Sequence, residues 1–95
     1  MVAYVIADIE VTDPEAFEEY RKLVPPLVAK YGGKYLVRGG NFEIVEGDWA
    51  PKRLTVLEFE SLERAKQFYD SAEYEPVKQI RLKSTNSNLL LVEGV

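Results

Sequence analysis

An α+β fold, one antiparallel sheet with helices on a single face, is what this sequence predicts. Three observations lead there. Strand-like runs and helical stripes follow one another as strand, helix, strands, helix, strand; the 95 residues contain no linker or internal repeat; and the strand segments are apolar on both faces. A single domain over residues 1–95 follows, large enough to bury more than about 60 % of the surface its unfolded chain exposes.

The first strand spans residues 2–11, where Val, Ile, Tyr and Ala dominate. Asp13-Pro14 closes it and opens a helix, with Asp13 as N-cap and Pro14 at the first helical position, while Thr12 with Glu15 offers a competing capping box. Phe17, Tyr20, Val24, Leu27 and Tyr31 recur at spacings of three and four and form one apolar stripe. Pro25 and Pro26 deny amide donors to the carbonyls of Arg21 and Lys22, so the helix should kink or break there. Gly32-Gly33 ends it.

Residues 34–59 read as consecutive strands, "KYLVRG", "NFEIVEG" and "KRLTVLEF", with Trp49-Ala50-Pro51 as a connection. Ser61 caps a second helix carrying Leu62, Ala65, Phe68 and Tyr69 on one face, and Ser71 caps a further turn or helix with Tyr74, Val77 and Ile80. "SNLLLVEG" is the last strand. The order is the split βαβ arrangement of the ferredoxin-like folds.

Composition removes most functional classes. There is no cysteine, hence no thiolate nucleophile, disulfide or zinc-thiolate site, and no histidine, the usual neutral-pH base and the usual metal or haem ligand. A net charge of −4, with twelve basic side chains scattered among sixteen acids, argues against nucleic acid as a partner. The opening apolar run is interrupted by Asp8 and Glu10 before it reaches signal-peptide or membrane-spanning length, so the expectation is a cytoplasmic protein with no membrane partner.

The glycines of "VRGGNFEIVEGDW" lead into an alternating, strand-like run and not into a helix, so they do not make a phosphate-binding loop. They fit a hairpin turn at Gly39, Gly40 and Asn41, which would set Arg38 and Glu46 across from one another. Such a pair is a solvated surface contact or, in its functional version, an Arg38 that binds a carboxylate or enolate while Glu46 orients it. Asp8, on a strand face with Tyr4 and Ile6, is a candidate general base, and Tyr20 a candidate hydrogen-bond donor to an oxyanion. Asp8 with Glu10, or Glu46 with Asp48, matches no calcium-loop pattern, and no metal site is expected.

In the first strand Ala3, Val5, Ala7 and Ile9 alternate with Tyr4, Ile6, Asp8 and Glu10, and "LTVL" and "LLLV" behave alike. Helices of so short a chain cover one face only. The other would leave several hundred Å² of apolar surface in water, so a second copy packed sheet against sheet is expected.

At "AYVIADIEVTDPEAFEEY", "YGGKYLVRGGNFEIVEGDW", "PKRLTVLEF" and "YDSAEYEPVKQIR" the chain resembles, over essentially its whole length, the small bacterial proteins grouped as domain of unknown function 1330. That resemblance implies membership of the dimeric α+β barrel superfamily. Its members include muconolactone isomerases, polyketide cyclases and quinol-type monooxygenases that often need no metal or prosthetic group. Haem-using relatives depend on a histidine that is missing here. The expectation is a homodimer that binds a small organic acid or aromatic metabolite, with cofactor-free isomerase, cyclase or oxygenase chemistry. The competing one is a non-catalytic ligand-binding or dimerisation module.

Overall fold

The computed structural model describes residues 1–95 and contains seven elements: β1 (Ala3–Val11), α1 (Pro14–Lys30), β2 (Lys34–Arg38), β3 (Leu54–Phe59), α2 (Leu62–Tyr69), α3 (Tyr74–Ser84) and β4 (Thr85–Glu93). The four strands form one sheet in the order β2-β3-β1-β4, every neighbour antiparallel. This is the ferredoxin-like topology.

Strand alternation decides which residues meet the helices. Ala3, Val5, Ala7 and Ile9 are buried on one face of β1, in register with Phe59, Leu57 and Thr55 of β3 and with Leu91, Leu89 and Ser87 of β4. Phe17, Val24 and Val28 of α1, Ala65 and Phe68 of α2, and Tyr74 and Val77 of α3 close over that face. Phe59, Phe68 and Tyr74 stack in series, with ring centroids 5.4 and 4.6 Å apart.

The helix ends follow the capping residues. Asp13 accepts from the Ala16 amide with Pro14 at the first position, and Ser61 accepts from the Arg64 amide. Ser71 accepts from the Tyr74 amide and donates to the Phe68 carbonyl, which bridges α2 to α3. Contrary to one half of the kink-or-break expectation, α1 runs unbroken through Pro25 and Pro26. Gly33 lies so close to Phe59 and Val28 that an added Cβ would stand 2.6 Å from the Phe59 ring, so the chain turns out of α1 hard against the core.

The hairpin expected at Gly39-Gly40-Asn41 is not formed. β2 pairs with β3, and the chain leaves the sheet at Gly39, whose amide donates to the Leu54 carbonyl. Residues 40–50 are exposed and outside the sheet. Alternation in "NFEIVE" is a local signal; burial overrides it, because β3 supplies Leu57 and Phe59 to the core and competes better for the edge of β2.

The opposite sheet face carries no helix. It presents Tyr4, Ile6, Leu54 and Val56, half-buried, with Val37, Leu90 and Val92 exposed; Leu90 is 54 % accessible. No helix is long and apolar enough to cross a membrane.

Candidate functional site

Between the sheet and α1 and α3 lies a cavity of about 50 Å³ that opens to solvent. Val5, Ala7, Phe17, Leu57, Phe68 and Leu89 give it apolar walls. Four of its sixteen lining residues are arginines, Arg21, Arg38, Arg53 and Arg81, and none is Asp or Glu. In a chain of net charge −4 this is a local inversion of sign.

Each arginine is placed by a separate element. Pro25 has no amide for the Arg21 carbonyl, and Arg38 takes that acceptor: its Nη2 donates to the Arg21 oxygen at 3.1 Å, while its guanidinium lies 4.8 Å from the Tyr35 ring centroid. The proline in α1 therefore positions an arginine on β2. Arg53 precedes β3 and its carbonyl accepts from the Ile9 amide at 2.9 Å. Its guanidinium packs against Gly39, where φ is +68° and any Cβ would collide with it. Partial burial pushes the Arg53 guanidinium pKa down, and Arg21 and Arg38 beside it push the same way. Arg21, Arg38 and Arg53 are thus one crowded cationic group.

Arg81 stands apart from them. It comes from α3, is only 2 % accessible, and donates from Nη1 to the Ser87 hydroxyl at 2.7 Å. Burial opposes its charge, but the neighbouring Tyr74 and Tyr20 hydroxyls favour it and leave its pKa raised. Its Nε has no hydrogen-bond partner, and neither has the buried Nε of Arg21. Of the four, only Arg21 has a carboxylate partner, Glu18 at 3.2 Å, on the solvent side of α1. A buried guanidinium without a counter-ion is costly.

Tyr20 and Tyr74 share a hydrogen bond of 2.8 Å between their hydroxyls at this cavity. Burial, and then the Tyr74 hydroxyl, push the Tyr20 pKa far above its ordinary value, so this group keeps its proton and acts as a donor, not a base.

The structure brings Tyr20 and Arg38 to the cavity and does not bring Asp8 or Glu46 there. Asp8 lies on the helix-free sheet face, where its carboxylate accepts from Trp49 Nε1 at 3.2 Å and from the Lys52 amide at 2.9 Å. Glu46 is exposed in the segment that leaves the sheet and forms no ion pair with Arg38, because the hairpin that would have aligned them is absent. The sequence singled out neither Arg53 nor Arg81 as a site residue. Arg81 had a signal: Tyr74, Val77, Arg81 and Ser84 recur at spacings of three, four and three, which puts an arginine on the inward stripe of α3.

Topology and cavity together define a ferredoxin-like α+β protein with a pocket between sheet and helices. The chain belongs to the family described as Domain of unknown function (DUF1330), whose pattern it matches over residues 2–95. No curated protein matches it. Among solved structures it is similar to RPA0582, a protein of unknown function from Rhodopseudomonas palustris, at 15 % identity and a TM-score of 0.78, covering 99 % of this chain and 82 % of that one. It is similar also to SnoaB, a cofactor-independent oxygenase from Streptomyces nogalater, at 13 % identity and 0.63, covering 99 % and 92 %. A Nitrosomonas europaea protein provisionally assigned as an antibiotic biosynthesis monooxygenase matches at 10 % identity and 0.58, covering 99 % and 90 %. At these identities the likeness is one of fold.

Proposed function

We propose that this protein is a homodimer that takes a small organic acid or aromatic metabolite, as its anion, into the cavity between sheet and helices. The observation that carries the reading is the cavity lining itself: four guanidiniums, two with an orphaned buried Nε, apolar walls, no carboxylate in the lining, and only Arg21 paired outside it, with Glu18. Arg38 binds the acid at the mouth and Tyr20 donates to an oxygen within; Asp8 and Glu46 take no part in that set. Arg38 is suited to a bidentate contact with a carboxylate because its own anchor is a backbone carbonyl and not a competing acid. A fold shared with a cofactor-independent oxygenase supports cofactor-free isomerase, cyclase or oxygenase chemistry as the use of that site. Dimerisation is supported by the helix-free apolar face bearing Ile6, Val56, Leu90 and Val92.

Calorimetric titration with benzoate and with its neutral counterpart benzamide tests the reading. Benzoate binds saturably and benzamide does not, and Arg38→Gln weakens benzoate about tenfold or more, the loss of one charge-assisted contact of about 1.5–3 kcal/mol. The melting temperature of the variant stays close to the parent's, since Arg38 is exposed. Absence of binding by any carboxylate would leave the non-catalytic dimerisation module as the better description.

A further inference from the structure

The four arginines are not one site but two. Arg21, Arg38 and Arg53 crowd one another where β2 and the start of β3 meet α1, and Arg21 and Arg38 both bear on the charge of Arg53. Arg81 is instead embedded among hydroxyls: it donates to Ser87, and Tyr74 and Tyr20 are the groups that bear on its charge. The crowded three are all more accessible than Arg81, which is almost completely enclosed. An isolated, buried guanidinium with an unpartnered Nε beside a hydrogen-bonded pair of tyrosine hydroxyls is the environment of a localised oxyanion, stabilised by one charge and by the one hydroxyl proton the pair has left to donate. A single carboxylate held at the outer three leaves that inner set unsatisfied.

We propose that the ligand carries two acidic groups on one compact conjugated frame: a carboxylate held by Arg21, Arg38 and Arg53, and an enolate or phenolate oxygen held by Arg81 with Tyr20 and Tyr74. This rests on the organic-acid reading above and sharpens it to a class, hydroxylated aromatic acids and the enolisable oxo acids of similar shape. The volume agrees with a compact frame: about 50 Å³ is the room of roughly four waters at about 10–15 Å³ each. No covalent step is implied. Arg81 lowers the free energy of the ionised oxygen, so the proton of the bound enol or phenol leaves to solvent at lower pH than it does from the free compound.

The chromogenic acid 4-hydroxy-3-nitrobenzoate reports that ionisation directly, because its phenolate absorbs visible light and its phenol does not. Titrated with pH in the presence of saturating wild-type protein, the probe should ionise about one pH unit or more below the free compound, the effect of an opposite charge within a few ångström. Arg81→Met should abolish the shift when the probe is titrated under saturating variant protein. Arg81→Lys should preserve part of it. Arg38→Gln should lower the affinity for the probe and leave the shift intact, which a merely structural Arg81 does not predict. A probe that binds the wild-type protein with an unshifted ionisation overturns the two-group proposal and leaves the organic-acid reading standing. If neither benzoate nor the probe binds, both fall. The wild-type titration decides by itself if Arg81→Met does not fold.

Discussion

At Pro25 a missing amide is felt across the fold. A proline in a helix interior costs about 3 kcal/mol relative to alanine, through the lost hydrogen bond and the clash of its ring with the carbonyl four residues back. Here that carbonyl belongs to Arg21, and Arg38 occupies it. Restoring the amide with Pro25→Ala gives the carbonyl an intrahelical donor and leaves Arg38 to compete for it. The variant should melt several degrees higher and bind benzoate several-fold more weakly, as read by thermal denaturation and calorimetry on the same sample. Higher stability with unchanged binding would show that Arg38 does not depend on this anchor. Gly39 has a comparable role beside Arg53, since its positive φ and its lack of a side chain leave the space the guanidinium fills.

At the scale of elements, the segment between β2 and β3 is held to the sheet by Asp8. The carboxylate receives Trp49 Nε1 and the Lys52 amide, so one side chain of β1 fixes the end of an otherwise exposed stretch. Phe42, Ile44 and Val45 in that stretch are exposed, Val45 at 90 %. Asp8→Ala should release it: the fluorescence of Trp49, the only tryptophan, shifts to the red and proteolysis between residues 40 and 53 accelerates, while benzoate affinity is unchanged. Loss of benzoate binding would instead return Asp8 to the site. The elements differ in how far sequence discloses them. Both long apolar stripes and the caps at Asp13, Ser61 and Ser71 are readable because helix signals are local, set by residues three or four apart. The partner of β2 is not, because "NFEIVE" and "LTVLEF" both alternate, and only the competition for core burial chooses between them. The cavity lies between these cases. Tyr20 and Arg38 are legible as chemistry without being locatable as neighbours, and their meeting depends on a carbonyl freed in α1 and filled from β2. Arg53 joins them only because β3, and not residues 42–47, pairs with β2.

For the molecule as a whole, the sheet separates two unlike surfaces. One is sealed by helices around an arginine-lined cavity; the other is apolar and bare apart from the approach of Trp49. Burying exposed apolar surface contributes about 25 cal/mol per Å², so a bare sheet face of several hundred Å² favours association by several kcal/mol before the cost of lost freedom. Light scattering at micromolar concentration should give a dimer, and Leu90→Lys should give a folded monomer, because Leu90 faces outward and its loss leaves the helix-side core intact. A monomeric wild-type protein would remove the dimer and leave the cavity untouched. Everything functional then turns on whether that cavity is cationic in order to hold an anion. The most direct measurement is a side-chain nitrogen-proton NMR spectrum of the arginines during titration with benzoate, with the exposed guanidinium of Arg64 on α2 as internal control. The Nε–H signal of Arg21 should move saturably and together with those of Arg38 and Arg53, while Arg64 stays in place. Signals that move equally at Arg64 and in the cavity, or at Arg64 alone, would contradict an anion site between the sheet and the helices.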